Sequence, residues 1–170
     1  ETIIAAGPRS SLPHGTATER KLQDGDLVII DFGAVWKGYC SDCTRTVSIG
    51  PATPKQKEIY AVVQRAQEAA LQILRPGVVA AEVDKAAREI ISGSGYGDYF
   101  GHSLGHGVGR LVHEEPNLAA RDQTVLEPGM VVTVEPGIYL PGWGGVRIED
   151  LAVVTDTGCE VLTHSPKGLI

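Results

Sequence analysis

Four acidic side chains stand in places where apolar strands would exclude them. Asp31 closes the run Leu27-Val28-Ile29-Ile30, Asp42 lies on a second β-rich run from Tyr39 to Ile49, Glu135 follows Met130 to Val134, and Glu149 lies within Val146 to Val154. Strands disfavour Asp, and an unpaired buried carboxylate is costly or shifts its pKa, so each acid needs a partner. Folding the first two runs about Trp36 to Gly38 puts Asp31 opposite or diagonal to Asp42 on one sheet face in any odd register, such as one that pairs the two directly. A slip by one residue separates them. The turn from Leu140 to Gly145, centred on Gly142, does the same for Glu135 and Glu149. Facing carboxylates repel unless a cation lies between them or they share a proton.

Two divalent cations would neutralise four carboxylates. Hard oxygen ligands with one imidazole suit Mn²⁺, Co²⁺, Fe²⁺ or Zn²⁺, and two ions about 3.5–4 Å apart form a hydrolytic device. The imidazole is supplied by His106, flanked on both sides by glycine in Gly101-His102-Ser103-Leu104-Gly105-His106-Gly107-Val108-Gly109. Glycine lets backbone approach a ligand closely. His14, His102 and His113 also lie in or near glycine- or proline-bearing turns, whereas His164 reads as an ordinary structural histidine. The competing reading puts the acids on exposed strand faces, paired with Arg45 and Arg147. That suffices for one hairpin, but the repetition of the pattern in both favours metal.

Other motifs carry less. Gly105-His106-Gly107-Val108-Gly109 lacks the βαβ context of a dinucleotide site. Cys40-Ser41-Asp42-Cys43 has no second pair for zinc and lies in a strand, which argues against redox chemistry. His113-Glu114-Glu115-Pro116 is not a His-Glu-x-x-His zinc motif, and neither a Gly-x-Ser-x-Gly elbow nor a phosphate loop occurs.

The elements that must position these residues are legible in outline. The two β-rich runs form a hairpin. Thr53-Pro54-Lys55-Gln56 predicts an N-cap, a Pro at the first helical position and a Gln closing a capping box, followed by Ile59, Val62, Val63, Ala66, Ala69, Ala70, Ile73 and Leu74 at helical spacing. This helix should stop at Arg75-Pro76-Gly77. A second is predicted from about Ala80 to Ser92, ending in Gly93-Ser94-Gly95. Strands over Met130 to Val134 and Val146 to Val154 follow. A shift of 104 residues lays Gly25 through Gly33 on Gly129 through Gly137, matching turn glycine, strand, acid and following glycine.

Composition sets the outer bounds. At 170 residues, 42% apolar and 21% charged, the chain is the size of one ordinary domain with a core of its own. A net charge of −6 argues against nucleic acid and anionic membranes as partners. No stretch has the roughly 20 apolar residues of a membrane span, and the start lacks the regions of a signal peptide, so a cytoplasmic location is expected. Cys40, Cys43 and Cys159 read as reduced thiols. The chain opens without Met on the strand-like Thr2 to Ala6, and reads as a piece of something longer.

The acidic and histidine motifs, taken in order, resemble one family. Asp31-Phe32-Gly33-Ala34 with Tyr39-Cys40-Ser41-Asp42-Cys43-Thr44-Arg45-Thr46, Gly105 to Gly109 with His113 to Pro116, Glu135-Pro136-Gly137-Ile138-Tyr139, and Gly145-Val146-Arg147-Ile148-Glu149-Asp150 are similar to the successive motifs of the Xaa-Pro peptidases. These are aminopeptidase P and prolidase, within the pita-bread metallopeptidase family M24 that also holds methionine aminopeptidase and creatinase. The resemblance implies an α+β pita-bread (creatinase/aminopeptidase-like) fold, a curved antiparallel sheet with flanking helices and an internal pseudo-twofold. Residues 1–170 would be the metallopeptidase catalytic domain, without the family's amino-terminal domain and with the first half of the pseudo-twofold incomplete.

The same resemblance implies roles. Asp31, Asp42, His106, Glu135 and Glu149 would hold two divalent ions, Mn or Co first, with Zn or Fe as alternatives. Asp42 and Glu149 would bridge them, Asp31 serving one and His106 the other. Glu135 would double as general base, His113 and His102 would act in catalysis, and His14, His102, His113 and Arg147 would bind substrate. The implied reaction is hydrolysis of the bond between an amino-terminal residue and a following proline, on proline-containing peptides, by a homodimer or larger assembly. Ser-Asp-x-Thr-Arg and Gly-Val-Arg-Ile-Glu-Asp look like Xaa-Pro peptidases rather than methionine aminopeptidases, and creatinase lacks the acidic set. A non-catalytic pita-bread peptide-binding module and, further off, a methionine aminopeptidase are the alternatives.

Overall fold

The computed structural model describes residues 2–169. Its first sheet is antiparallel, with β1 (Ile3–Ala6) beside β2 (Leu27–Phe32). The predicted hairpin leaves β2 through β3 (Val35–Trp36), turns, and returns through β4 (Tyr39–Cys40) into β5 (Cys43–Ser48), which pairs with β2. Lys37 and Gly38 have φ of 50° and 84° at the turn, the positive values that a two-residue hairpin connection needs. The register pairs Asp31 with Thr44 rather than with Asp42. It is still odd, the parity that would keep Asp42 diagonal to Asp31 on one face in an unbroken strand.

The run from Tyr39 to Ile49 is therefore not one strand, and it breaks at Ser41-Asp42. A side chain on Gly33 would collide with the Ser41 carbonyl, and the Ser41 amide donates to Ala34 at 2.8 Å. The two chains approach too closely there for the ladder to continue. The break frees Asp42 from strand geometry.

Helix α1 (Pro54–Ile73) starts on the predicted capping box: Thr53 Oγ1 accepts from the Gln56 amide at 3.3 Å, and Gln56 Oε1 accepts from the Thr53 amide at 2.7 Å. Its apolar stripe of Ile59, Val62, Val63, Ala66 and Ala70 packs with Val83, Ala87 and Ile91 of α2 (Ala80–Gly93) in a single core. Two fully buried polar residues, Gln67 and Asp84, interrupt these faces. Each has a partner across the fold, described below.

The second sheet runs β12-β11-β8-β6-β7. Its strands are β6 (Gly105–Gly107), β7 (Glu114–Leu118), β8 (Val131–Val134), β11 (Asp150–Val154) and β12 (Cys159–Val161), with the hairpin β9 (Gly137–Leu140) and β10 (Gly144–Arg147) between β8 and β11. The single strand expected over Val146 to Val154 is broken at Ile148-Glu149. The Glu149 amide donates to the Thr44 carbonyl of the first sheet at 3.1 Å instead. The pairs Gly137–Arg147 and Val134–Asp150 lie on one continuous register, so Glu135 and Glu149 sit opposite each other across that gap.

The internal repeat is structural. β2 and β8 start 104 residues apart, behind glycines with φ of 88° (Gly25) and 90° (Gly129). Gly25 donates to Ile49 at 2.7 Å and Gly129 to Val154 at 2.8 Å, closing equivalent turns. The halves meet where Thr46 Oγ1 donates to the Arg147 carbonyl at 2.8 Å and accepts its amide at 3.0 Å. Among the described residues the first half has three strands in its sheet against five in the second. Among the described residues no helix is long and apolar enough to cross a membrane.

Candidate metal centre

All nine residues singled out from the sequence line one cleft of about 690 Å³: His14, Asp31, Asp42, His102, His106, His113, Glu135, Arg147 and Glu149. The strand breaks put them there. Asp42 and Glu149 project from the gaps in the two hairpins, Asp31 from β2, His106 from β6 and Glu135 from just past β8. One ligand atom each from Asp42, His106 and Glu149 lies within 4.8 Å of the others. His106 Nε2 is 3.3 Å from Glu135 Oε1 and 3.9 Å from Asp42 Oδ2.

Electrostatics show what this packing costs. Burial, then the neighbouring Asp31 and Glu135 charges, pushes Asp42 up to about 6. Glu149, buried and facing Glu135 and Asp42, is driven well above the usual carboxylate range although Thr44 Oγ1 donates to it at 2.6 Å. Burial would also raise Glu135, but the hydrogen bond from His106 and the charges of His102, His106 and Arg147 hold it low. Burial works against the His106 cation, yet Glu135 raises that ring overall. Two of the acids, Asp42 and Glu149, thus hold their protons more tightly than isolated carboxylates do.

The donor set fits a divalent cation. His106 Nδ1 faces the Gly107 carbonyl at 3.1 Å, the second contact that metal-binding imidazoles commonly make, and Nε2 faces only carboxylate oxygens. Nε2 either carries a proton toward these acids or leaves its lone pair for a cation or a carboxylic-acid proton. Three carboxylates and an imidazole converging in a half-buried cleft favour the cation.

The remaining residues divide into two groups. His113 and His14 are exposed at the cleft mouth, and the His113 ring lies 4.2 Å from that of His106. Burial and His106 keep His113 below its usual pKa. Arg147 and His102 are tied to the protein. Arg147 donates to Asp31 (2.7 Å), Tyr139 (2.9 Å), Pro13 (3.0 Å) and Thr44 (3.2 Å), which leaves little of its fork for a ligand. His102 contacts the Ser103 carbonyl through Nδ1 at 2.7 Å and Tyr139 Oη through Nε2 at 2.9 Å. With Nδ1–H donating, Nε2 accepts the Tyr139 hydroxyl, whose own lone pair takes the Arg147 proton.

Three residues of this network were given no role by their spacing: Thr44, Thr133 and Tyr139. Thr133 Oγ1 donates to Glu135 Oε1 at 3.1 Å and accepts the His106 amide at 3.0 Å. A signal for the threonines was present, since Thr44 lies two residues after Asp42 and Thr133 two before Glu135, on shared strand faces. Tyr139 lies across a bend from Glu135, and no periodicity points to it. The pairing of Arg45 with a cleft acid does not occur. Arg45 instead binds fully buried Asp150 at 2.8 Å and the Glu149 carbonyl, and Gln67 and Lys167 complete the ring around Asp150 at 2.7 and 2.6 Å.

Comparison with known proteins agrees with this geometry. The sequence model of metallopeptidase family M24 matches residues 1–156. The chain is 52% identical over 170 residues to a Xaa-Pro dipeptidase of Pyrococcus furiosus, covering 100% of this chain and 49% of that protein. The solved prolidase from Pyrococcus furiosus superposes with a TM-score of 0.96 at 53% identity, over 98% of this chain and 49% of the other. An X-Pro aminopeptidase from Thermotoga maritima superposes at 0.97 with 48% identity, over 99% and 48%. The fold is thus the pita-bread fold of prolidases, and the chain spans about half the length of the relatives it matches.

Proposed function

This chain belongs to metallopeptidase family M24, and we propose from that premise that residues 1–170 form a catalytic domain hydrolysing the bond between an amino-terminal residue and a following proline. One observation carries the reading: Asp31, Asp42, His106, Glu135 and Glu149 converge on one cleft, and none of the five ligand positions implied by the sequence motifs is displaced from it. These five residues would hold two divalent ions, Mn²⁺ or Co²⁺ in first place. When bound, such a pair supplies Lewis-acid polarisation of a carbonyl and lowers the pKa of water from 15.7 toward about 7.

The chain's own residues divide the rest of the work. Glu135 is held ionised, and its Oε1 is occupied by Thr133 and His106. Its other oxygen accepts the proton of the attacking water and returns it to the prolyl nitrogen. His113, neutral at the cleft mouth, donates to the scissile carbonyl oxygen as charge develops there. His14 orients the peptide from the same mouth. His102 shares that task to the extent that Tyr139 releases its Nε2, and Arg147 acts mainly through Asp31 and Tyr139, because its donors are already engaged.

The test is hydrolysis of Ala-Pro and Ala-Pro-Pro by the purified protein with Mn²⁺, with Co²⁺ and with a chelator. Metal-dependent cleavage is expected, and the preferred length assigns dipeptidase or aminopeptidase type, since solved relatives of both kinds superpose on this chain. Folded, metal-loaded protein that cleaves neither peptide would overturn the reading in favour of a peptide-binding module.

A further inference from the structure

The loop that carries His102 is held from behind, by a pair of residues on α2 that no part of the cleft contains. Arg88 grips Asp84 with two hydrogen bonds, Nε to Oδ2 at 2.9 Å and NH2 to Oδ1 at 2.7 Å. The same guanidinium donates to the carbonyls of Phe100 at 3.0 Å and of His102 itself at 2.9 Å. Asp84 Oδ1 also accepts the Leu104 amide at 3.1 Å. One ion pair therefore brackets residues 100–104 by two carbonyls and one amide.

An ordinary helical pair four residues apart is exposed and stabilises its helix only slightly. This pair is built differently. The Asp84 side chain is 1% exposed, and it lies on the apolar face of α2, where a carboxylate is tolerated only with every lone pair committed. Beyond each other, the two residues bind not helical neighbours but a loop 12 to 20 residues further on. The arrangement serves the loop.

Side-chain stacking extends the hold to the imidazole. The Arg88 guanidinium lies 4.2 Å from the centre of the Phe100 ring, and that ring meets the His102 ring edge-on at 5.1 Å and 89°. The Leu104 carbonyl, at the far end of the segment, accepts the Glu135 amide at 2.8 Å. Gly101, in the middle, has open space where a side chain would stand, so no side chain of its own restrains the backbone beside His102. Arg88 supplies that restraint.

We infer that Arg88 is a positioning residue for His102, fixing its backbone at the cleft wall and its ring so that Nε2 stays on the Tyr139 hydroxyl. The inference rests on the peptidase reading above for its kinetic consequence but not for its structural one.

The experiment uses Arg88→Met and Arg88→Lys in the intact protein, with Lys85→Ala on the exposed side of α2 as control. The first readout is the His102 imidazole in NMR spectra of chelator-treated protein, where the Nδ1–H contact to Ser103 gives a single tautomer. Arg88→Met is expected to shift or broaden that signal while the rest of the spectrum remains that of a folded protein. The second readout is Ala-Pro hydrolysis. A loss of about tenfold or more in kcat is expected, with KM little changed, because small misplacements near a reacting centre cost up to about 10². In a His102→Ala background, Arg88→Met should cost nothing further.

An unchanged His102 signal, or an equal loss with and without His102, would overturn the proposal. If Arg88→Met does not fold, Arg88→Lys decides it by the same readouts, since one ammonium beside Asp84 cannot also hold both carbonyls. Absence of hydrolysis in the unsubstituted protein would sink the peptidase reading alone, and the NMR signal would still decide the role of Arg88.

Discussion

Arg147 and Asp31, 116 residues apart in sequence, form a 2.7 Å ion pair that joins the two halves of the repeat inside the cleft. The contact engages Asp31 Oδ2, so the arginine-paired and metal-binding readings of this acid are compatible. Arg147 is a structural tie between sheets that also aims a ligand.

Arg147→Met should therefore damage both stability and metal binding. It leaves Asp31 without its partner and Tyr139 and Pro13 without donors in a largely buried setting, a class of change that costs about 3–5 kcal/mol. Urea unfolding should show a lowered midpoint, and Mn²⁺ titration a weaker affinity. Arg147→Lys should recover only part of either, because an ammonium cannot reproduce the fork. Affinity for Mn²⁺ unchanged in Arg147→Met would show that Asp31 needs no such aiming.

Tyr139→Phe tests the relay from Arg147 to His102. The hydroxyl is buried, pushed up to about 12 mainly by burial, and touched at 2.9 Å from both sides. Its removal should cost about 1 kcal/mol of stability. It should lower kcat while leaving metal content at the value of the parent protein. Equal kcat would mean that the tautomer of His102 does not matter to turnover.

Metal removal should destabilise the protein, more at neutral pH than in acid. Asp42 titrates at about 6 in the metal-free fold against 3.8 for an ordinary Asp, and Glu149 and His106 are raised as well. Above the unfolded carboxylate value the folded state holds more protons than the unfolded one, so stability falls as pH rises through this window, and the raised His106 loses its contribution in the same direction. A divalent cation displaces those protons and removes the penalty. The Mn²⁺-induced rise in thermal midpoint should grow from pH 4.5 to pH 7.5. At a metal concentration of 100 times Kd it should correspond to about 2.7 kcal/mol. A shift that shrinks with pH would contradict the cluster's assignment.

Glu149→Gln separates stability from function in the same cluster. The side chain is 2% exposed and its acid form is favoured, so the neutral isostere keeps the acceptor for Thr44. With chelator present, the variant should be more stable than the parent at pH 8 and alike at pH 4. Its response to Mn²⁺ and its peptidase activity should both disappear.

Thr53→Ala acts only on the scaffold. It deletes one half of the capping box of α1, outside the cleft lining, and should cost about 1 kcal/mol in urea unfolding. Activity measured well below the unfolding midpoint should be unchanged.

The local chemistry of this chain is legible residue by residue. Thr53, Pro54 and Gln56 announce α1, the glycines before Leu27 and Met130 announce the paired halves, and acids inside apolar runs announce a site, because each signal reads out over a few residues. Asp31 and Asp42 share one cleft even though their direct pairing did not form and the strand breaks at Asp42. Less legible are the places where strands stop. Nothing near Glu149 says that its amide will leave its own hairpin for Thr44, and that contact spans 105 residues.

What the sequence determined by itself is therefore the set of charged groups and the faces they occupy, since period-two alternation and turn chemistry act locally. Tertiary structure decided which of them are free and which are spent. Arg147 has most of its donors committed, Arg45 guards Asp150 rather than the cleft, and Arg88 reaches His102 from a helix that reads as scaffold. Those assignments depend on which carbonyls and carboxylates are brought within about 3 Å once two sheets and two helices close on one core, and buried donors are then bound by the distances that packing leaves them.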